Sequence, residues 1–152
     1  MDPYALIKTQ LSAAVPFAAH VGVALDEVGP GTASATLDQS HSTSNHIATM
    51  HAGALFTLAE AASGAAMAGM FFERLAAVRP VAASATIDYM RPAKGLITAD
   101  ARIDASKDAL LAALDADGKV RFAVSVTLRD GEGREVAAMR VDWHVAALAK
   151  AA

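Results

Sequence analysis

Apolar residues repeat at helical spacing in the middle of the chain. Leu55, Leu58, Ala62 and Ala66 recur at intervals of three and four residues, and no proline or cluster of β-branched residues interrupts them. The pattern predicts one long helix from about His51 to about Phe72. Most residues of this segment are alanine or other small residues, so we expect other backbone to approach the helix closely, as a sheet wrapped around it would.

Alternating apolar and polar positions predict strands on both sides of this helix. Before it, residues 21–28 and 32–37 form a predicted hairpin around Gly-Pro-Gly, followed by a polar loop over residues 38–50. After it, strands are predicted in four segments: 81–90, 95–105, 119–130 and 134–145. The sequence Asp-Gly-Glu-Gly at 130–133 is typical of a hairpin turn between the last two.

The N-terminal segment predicts a further helix. Asp2 and Pro3 are suited to an N-cap and a first turn, and the apolar spacing that follows extends this helix over about residues 2–15, ending before Pro16. The whole chain is then predicted to be a single α+β domain over residues 1–152, with an antiparallel sheet of about six strands wrapped around one long central helix.

Glu60 is the only formally charged residue between Ile47 and Phe72. A buried carboxylate costs free energy unless another group pairs with it or a reaction uses it. Glu60 is therefore a candidate nucleophile or general base, and the alternative is a structural acid paired with an arginine or with backbone donors.

Composition and charge exclude several classes of function. Hydrophobic residues make up 54% of the chain and charged residues 19%, so we expect another subunit to cover part of the apolar surface. A net charge of -3 offers no basic surface for nucleic acid, and the absence of cysteine excludes disulfides and thiolate chemistry. The apolar run is long enough to span a bilayer, but Glu60 would lie near its midplane, which favours a buried helix and no membrane contact. The N-terminus does not resemble a signal peptide, so we expect a cytoplasmic protein.

Three segments together resemble the hotdog-fold acyl-CoA thioesterases, and most closely the branch that includes the phenylacetate-pathway and 4-hydroxybenzoyl-CoA thioesterases. They are NHIATMHAGALFTLAE at 45–60, IDYMRPAKG at 87–95 and RVDWHV at 140–145, within a resemblance that covers about residues 21–145. The resemblance implies a hotdog fold, hydrolysis of an acyl-CoA, and a site built across a dimer interface. Asn45, His51 and Glu60 match the family's motif at its spacing, Ala52 replaces the first glycine of the family's His-Gly-Gly, and Gly53 is kept.

The chemistry of these residues agrees with thioester hydrolysis. The backbone amides of Ala52 and Gly53 at a helix N-terminus are suited to hold the thioester oxygen, and Glu60 would act as nucleophile or general base. Nine residues separate Glu60 from His51, which corresponds to about 13 Å along a helix. The two parts of one site should therefore come from different subunits, in a homodimer or a dimer of dimers.

Several roles stay open at this stage. Asn45 is also a common turn residue, and His51 is more typical of a helix start than of a catalytic base. His41, His46 and His51 lie five residues apart, which matches no familiar zinc motif, so we expect no metal and no cofactor.

Candidate substrate contacts are apolar residues for the acyl group, Met50, Phe56 and Met90, and cations for the phosphates of CoA, Arg91 and Lys94. The acyl group and the choice between CoA and an acyl carrier protein stay open. The alternative functions are another hotdog enzyme, such as an enoyl-CoA hydratase or dehydratase, and a noncatalytic acyl-binding protein.

Overall fold

A computed structural model describes residues 1–149 of the chain, so the last three residues of the predicted 1–152 range lie outside the described part. Four α-helices are present: α1 (Pro3–Ala14), α2 (Pro16–Val21), α3 (Ala52–Met70) and α4 (Lys107–Asp117). Six strands accompany them: β1 (Ala24–Gly29), β2 (Thr32–Asp38), β3 (Val78–Tyr89), β4 (Leu96–Ile103), β5 (Lys119–Arg129) and β6 (Glu135–Ala147).

All six strands belong to one antiparallel sheet, in the order β1-β2-β4-β5-β6-β3. The alternation read from the sequence is confirmed on β5 and β6, where Phe122, Val124 and Val141 face inward and are buried. These side chains pack against α3, and the core lies between this helix and the sheet. The predicted α+β architecture is therefore confirmed.

Helix α3 is slim enough to be surrounded. Ala59, Ala62 and Ala66 have no exposed surface. A Cβ atom at Gly69 would collide with the carbonyl oxygen of Gly29, which ends β1. Small side chains thus let the backbone of the sheet reach the helix, as the sequence pattern predicts.

Two helices were not predicted. From the sequence, Pro16 was predicted only to end α1. In the structure Pro16 is also the first residue of α2, because proline is compatible with the first turn of a helix. Helix α4 is capped by the Ser106 hydroxyl, which accepts a hydrogen bond from the Ala109 amide, and ends at Gly118. Strand β3 also begins three residues before the predicted start and includes Pro80, which an edge strand tolerates. Within residues 1–149, no helix is long and apolar enough to cross a membrane.

Candidate active site

Glu60 lies in the middle of α3 and faces a cavity of about 210 Å³. Among the described residues that line the cavity it is the only ionisable one, and the others are mainly apolar. No described residue pairs with its carboxylate through a salt bridge or a hydrogen bond, and desolvation by burial raises its pKa. The structural alternative, an acid paired with arginine or backbone donors, is therefore not what residues 1–149 show.

The N-terminus of α3 begins eight residues before Glu60. His51 is the N-cap, and its Nδ1 atom accepts a hydrogen bond of 2.8 Å from the Gly53 amide. This amide was expected to be available to a substrate oxygen, but in this conformation it is engaged. The Ala52 amide has no hydrogen-bond acceptor among residues 1–149, so the helix start offers one available donor there.

Asn45 organises the loop that leads to α3. Its Oδ1 atom accepts hydrogen bonds from the Ile47 and Thr49 amides, and its Nδ2 atom donates to the Thr49 hydroxyl at 2.7 Å. The His51 amide in turn donates to the Thr43 carbonyl oxygen. Asn45 therefore acts here as a turn residue, which is the structural role that the sequence left open beside its place in the family's motif.

Tyr89 is a further residue at the helix start that the sequence motif did not indicate. Its hydroxyl donates a 3.1 Å hydrogen bond to the Ala52 carbonyl oxygen, and burial raises the pKa of its phenol. This contact joins the end of β3 to the first turn of α3 across 37 residues of sequence. Tyr89 lies in the segment at 87–95 that carries the family resemblance, but no role was predicted for it from the sequence.

The candidate substrate contacts fall into two groups. Met50 was predicted to contact the acyl group, which requires an accessible side chain. In the structure Met50 belongs to the core and is only 2% exposed. Phe56, Met90, Arg91 and Lys94 are exposed, and the two cations make no salt bridge with any described residue.

The loop that carries Arg91 and Lys94 contacts the segment before α3. The Ala93 carbonyl oxygen accepts a 2.7 Å hydrogen bond from the Met50 amide. The backbone of this loop is thereby joined to Met50, two residues before α3 begins.

Helix α2 separates the Glu60 cavity from a second cavity at the start of α3. Ala18 and Ala19 line the first, whereas Phe17 and His20 line the second, which has a volume of about 350 Å³ and includes His51. Ala52 and Glu60 belong to one continuous helix and are about 12 Å apart along its axis. The structure of one protomer therefore does not bring the amide and the acid together.

The three loop histidines do not form a metal site in the described part of the chain. No group of three or more histidine, aspartate or glutamate side chains in residues 1–149 has a geometry that could hold a metal ion. His51 instead uses a ring nitrogen to cap α3.

Comparison with known proteins agrees with this architecture. A family model described as "Domain of unknown function (DUF4442)" matches residues 4–145. The chain belongs to this family. No curated protein matches this DUF4442 chain.

Solved structures similar to the DUF4442 chain include a Pseudomonas aeruginosa protein of unknown function described as a probable thioesterase. The two are 29% identical with a TM-score of 0.83, over 94% of this chain and 95% of the other. The E. coli PaaI protein from the phenylacetic acid degradation operon is 21% identical, with a TM-score of 0.76 and coverage of 93% and 92%. A hypothetical thioesterase of Streptococcus pneumoniae, solved with coenzyme A, is 18% identical, with a TM-score of 0.71 and coverage of 91% and 96%. The DUF4442 chain has the hotdog fold, and the predicted resemblance to hotdog-fold thioesterases is confirmed.

Proposed function

We propose that this protein hydrolyses an acyl-CoA thioester to a free acid and CoA, with Glu60 as the catalytic carboxylate. One observation carries the proposal: Glu60 has no pairing group among residues 1–149 and faces an apolar cavity, where its pKa is raised by desolvation. A carboxylate with a raised pKa is a better base near neutral pH than an ordinary one. The similarity to proteins described as thioesterases supports the same chemistry.

The second part of the proposed site is the Ala52 amide. A helix N-terminus carries unpaired N–H groups and a partial positive charge, which stabilise negative charge as it develops on a carbonyl oxygen. Because Ala52 and Glu60 are far apart on one helix, we assign the amide to one protomer and the acid to its partner. Asn45 and His51 then position the helix start, Asn45 through the loop and His51 through the Gly53 amide.

The exposed inner face of β3 supports a homodimer. Ala82, Ala85 and Tyr89 pair with inward-facing residues of β6 and so point to the core side of the sheet, yet all three are exposed. Strand β3 is 12 residues long and forms an edge of the sheet. A long edge strand with an uncovered apolar face is an association surface. A second copy placed there, alone or as half of a dimer of dimers, would cover it.

Two routes are compatible with this site. As a general base, Glu60 takes a proton from water, the hydroxide adds to the thioester carbon, and the oxyanion accepts a hydrogen bond from the Ala52 amide. The C–S bond then breaks and the thiolate takes the proton back. As a nucleophile, Glu60 itself displaces the thiolate to form an anhydride, which water cleaves to regenerate the carboxylate. Arg91 and Lys94 are assigned to the phosphates of CoA.

The proposal is tested with Glu60→Gln, which keeps the size of the side chain and removes its basicity. Hydrolysis of a panel of acyl-CoAs is followed through the released thiol. We expect kcat to fall by about a hundred-fold or more in Glu60→Gln. The matched control is Glu27→Gln on the exposed surface of β1, which should retain the parent rate.

Two results would contradict the proposal. One is a folded Glu60→Gln variant that hydrolyses its best acyl-CoA at the parent rate. The other is a parent protein that hydrates enoyl-CoA and releases no thiol from saturated acyl-CoAs. A single turnover in ¹⁸O-labelled water with excess enzyme identifies the nucleophile route if the label appears in the peptide that contains Glu60, because water that attacks the anhydride at the Glu60 carbonyl leaves its oxygen there and the general-base route does not.

A further inference from the structure

The cavity beside Glu60 is partly open to solvent and is lined by elements from distant parts of the chain. Helices α1 and α2 form one wall, α3 forms the opposite wall, and Leu25, Pro80 and Trp143 of the sheet close the sides. Strands β1 and β3 are the two edges of the sheet, so the cavity lies at the opening between them. The N-terminal helices cover this opening.

Other side-chain polar groups on the cavity walls are satisfied within the protein. The Ser12 hydroxyl donates to the Lys8 carbonyl oxygen at 2.8 Å. The Trp143 Nε1–H group donates to the Ser63 hydroxyl at 3.1 Å, and that hydroxyl donates to the Glu60 carbonyl oxygen at 2.7 Å. In the part of the chain that the structure describes, the Glu60 carboxylate is left as the one unpaired polar side-chain group that lines the cavity.

We propose that this cavity holds the acyl group of the substrate and selects unsubstituted alkyl or aryl groups of up to about eight carbons. Helices α1 and α2 set this upper limit on the size of the acyl group. The inference rests on the proposed function, since it places the acyl group next to Glu60. An apolar cavity of about 150 Å³ admits a benzene ring, so by proportion 210 Å³ corresponds to about eight carbons.

The chemistry of the walls excludes substituted acyl groups. A hydroxyl or amide on the acyl group would lose its water ligands and find only Glu60 and the acceptor lone pairs of the Ser12 hydroxyl among the described side chains, which costs binding free energy. A second carboxylate, as in a dicarboxylic acyl group, would meet the negative charge of Glu60, and no cation from residues 1–149 lines the cavity to offset it. The selected class is therefore apolar monocarboxylic acyl groups.

The length limit depends on small side chains in α2. Ala18 and Ala19 of α2 and Ala61 and Gly64 of α3 line the cavity together. A larger residue at Ala19 would occupy space that the end of the acyl group needs. Ala19 lies on the exposed side of the fold, so the helix tolerates the substitution.

The test compares Ala19→Leu with Ala13→Leu, an exposed α1 substitution away from the cavity. The kcat/KM values for butanoyl-, hexanoyl-, octanoyl-, decanoyl- and succinyl-CoA are measured for the parent and both variants. In the parent we expect a maximum at or below eight carbons and at least a hundred-fold lower value for succinyl-CoA. The ratio of kcat/KM for octanoyl-CoA to kcat/KM for butanoyl-CoA should fall at least ten-fold in Ala19→Leu, because two or three methylenes of the longer acyl group are no longer buried. The same ratio should stay at the parent value in Ala13→Leu. Leu11→Ala enlarges the same wall and should raise the ratio of decanoyl- to octanoyl-CoA.

A binding measurement separates this inference from the proposed hydrolysis. S-octyl-CoA is a thioether that cannot be hydrolysed, and calorimetry should show it binding at least ten-fold more weakly to Ala19→Leu than to Ala13→Leu. Equal binding and equal chain-length ratios in the two variants would overturn the acyl assignment and leave thioester hydrolysis standing. Weaker S-octyl-CoA binding with no hydrolysis of any acyl-CoA by the parent would overturn the proposed function and support an acyl site. A changed sedimentation coefficient in Ala19→Leu but not in Ala13→Leu would show that a second copy of the chain fills the cavity. That result would also overturn the acyl assignment.

Discussion

At the scale of single residues, Glu60 lowers the stability of the fold in its charged form. Its carboxylate has no pairing group among the described side chains, and the apolar cavity raises its pKa. The charged form is therefore less stable in the folded protein than in water, and the folded state holds the Glu60 proton more tightly than the unfolded chain does.

The resulting pH dependence can be measured. Because the pKa of Glu60 is higher in the folded state, its contribution to stability is fully present below the unfolded pKa, about 4.3, and is lost as the pH rises through the folded pKa. We expect Glu60→Gln to unfold at a higher temperature than the parent at pH 7 to 8, and the difference to shrink toward pH 4. Circular dichroism melts across this range provide the measurement, with exposed Glu27→Gln as the control that should follow the parent. A Glu60→Gln variant less stable than the parent at pH 8 would show that the charged carboxylate has a stabilising partner.

At the scale of elements, α3 combines two kinds of glycine. Gly69 meets the backbone of β1 at the carbonyl oxygen of Gly29, where no side chain can be accommodated without a shift of the strand. Gly64 lies one turn after Glu60, and a Cβ atom there would come to 3.4 Å from the Trp143 ring. Only the first position is closed by backbone, so the two glycines are expected to respond differently to the same substitution.

Gly69→Ala should lower the free energy of unfolding by about 2 kcal/mol or more, because the helix and β1 have to separate. Gly64→Ala should remain within about 1 kcal/mol of the parent, since the gain in helix propensity offsets the close contact with Trp143. Urea unfolding of both variants, followed by circular dichroism, compares them on one helix. Equal loss of stability in the two would mean that α3 does not approach β1 this closely.

At the scale of the whole molecule, β3 is the surface that a second copy is proposed to cover. Neighbouring residues on this strand face opposite sides of the sheet. Ala85 pairs with buried Val141 and faces the core side, whereas Thr86 pairs with exposed Arg140 and faces outward, and both are exposed in the protomer. This alternation supplies a matched pair of variants.

Ala85→Lys should convert the dimer to a monomer in sedimentation at micromolar concentration, because the charge would be buried in the proposed interface. The same variant should lose most acyl-CoA hydrolysis, since in the proposed site the acid and the amide come from two protomers. Thr86→Lys adds the same charge on the outer face and should stay dimeric and active. A parent protein that sediments as a stable monomer, or an active monomeric Ala85→Lys variant, would rule out the shared site.

Local periodicity was sufficient to predict the central helix, the alternating strands β5 and β6, and Glu60 as an isolated acid. It was also sufficient for α1, whose cap Asp2 accepts a hydrogen bond from the Tyr4 amide. Such features depend on residues within one or two turns of each other, which is the range over which spacing and capping act. Signals for α4 were present at Ser106 and Gly118, but the prediction missed them.

Only the tertiary structure decided what surrounds the candidate site. Helices α1 and α2 contribute to the walls of the Glu60 cavity. The hydrogen bond from Tyr89 to Ala52 joins residues 37 positions apart, and the hydrogen bond from Trp143 to Ser63 joins residues 80 positions apart. The side-chain conformation of His51, which engages the Gly53 amide and leaves that of Ala52 available, is likewise settled by the folded loop. These contacts depend on how the sheet curves around α3, and side-chain spacing along the chain carries no information about partners brought together by that curvature.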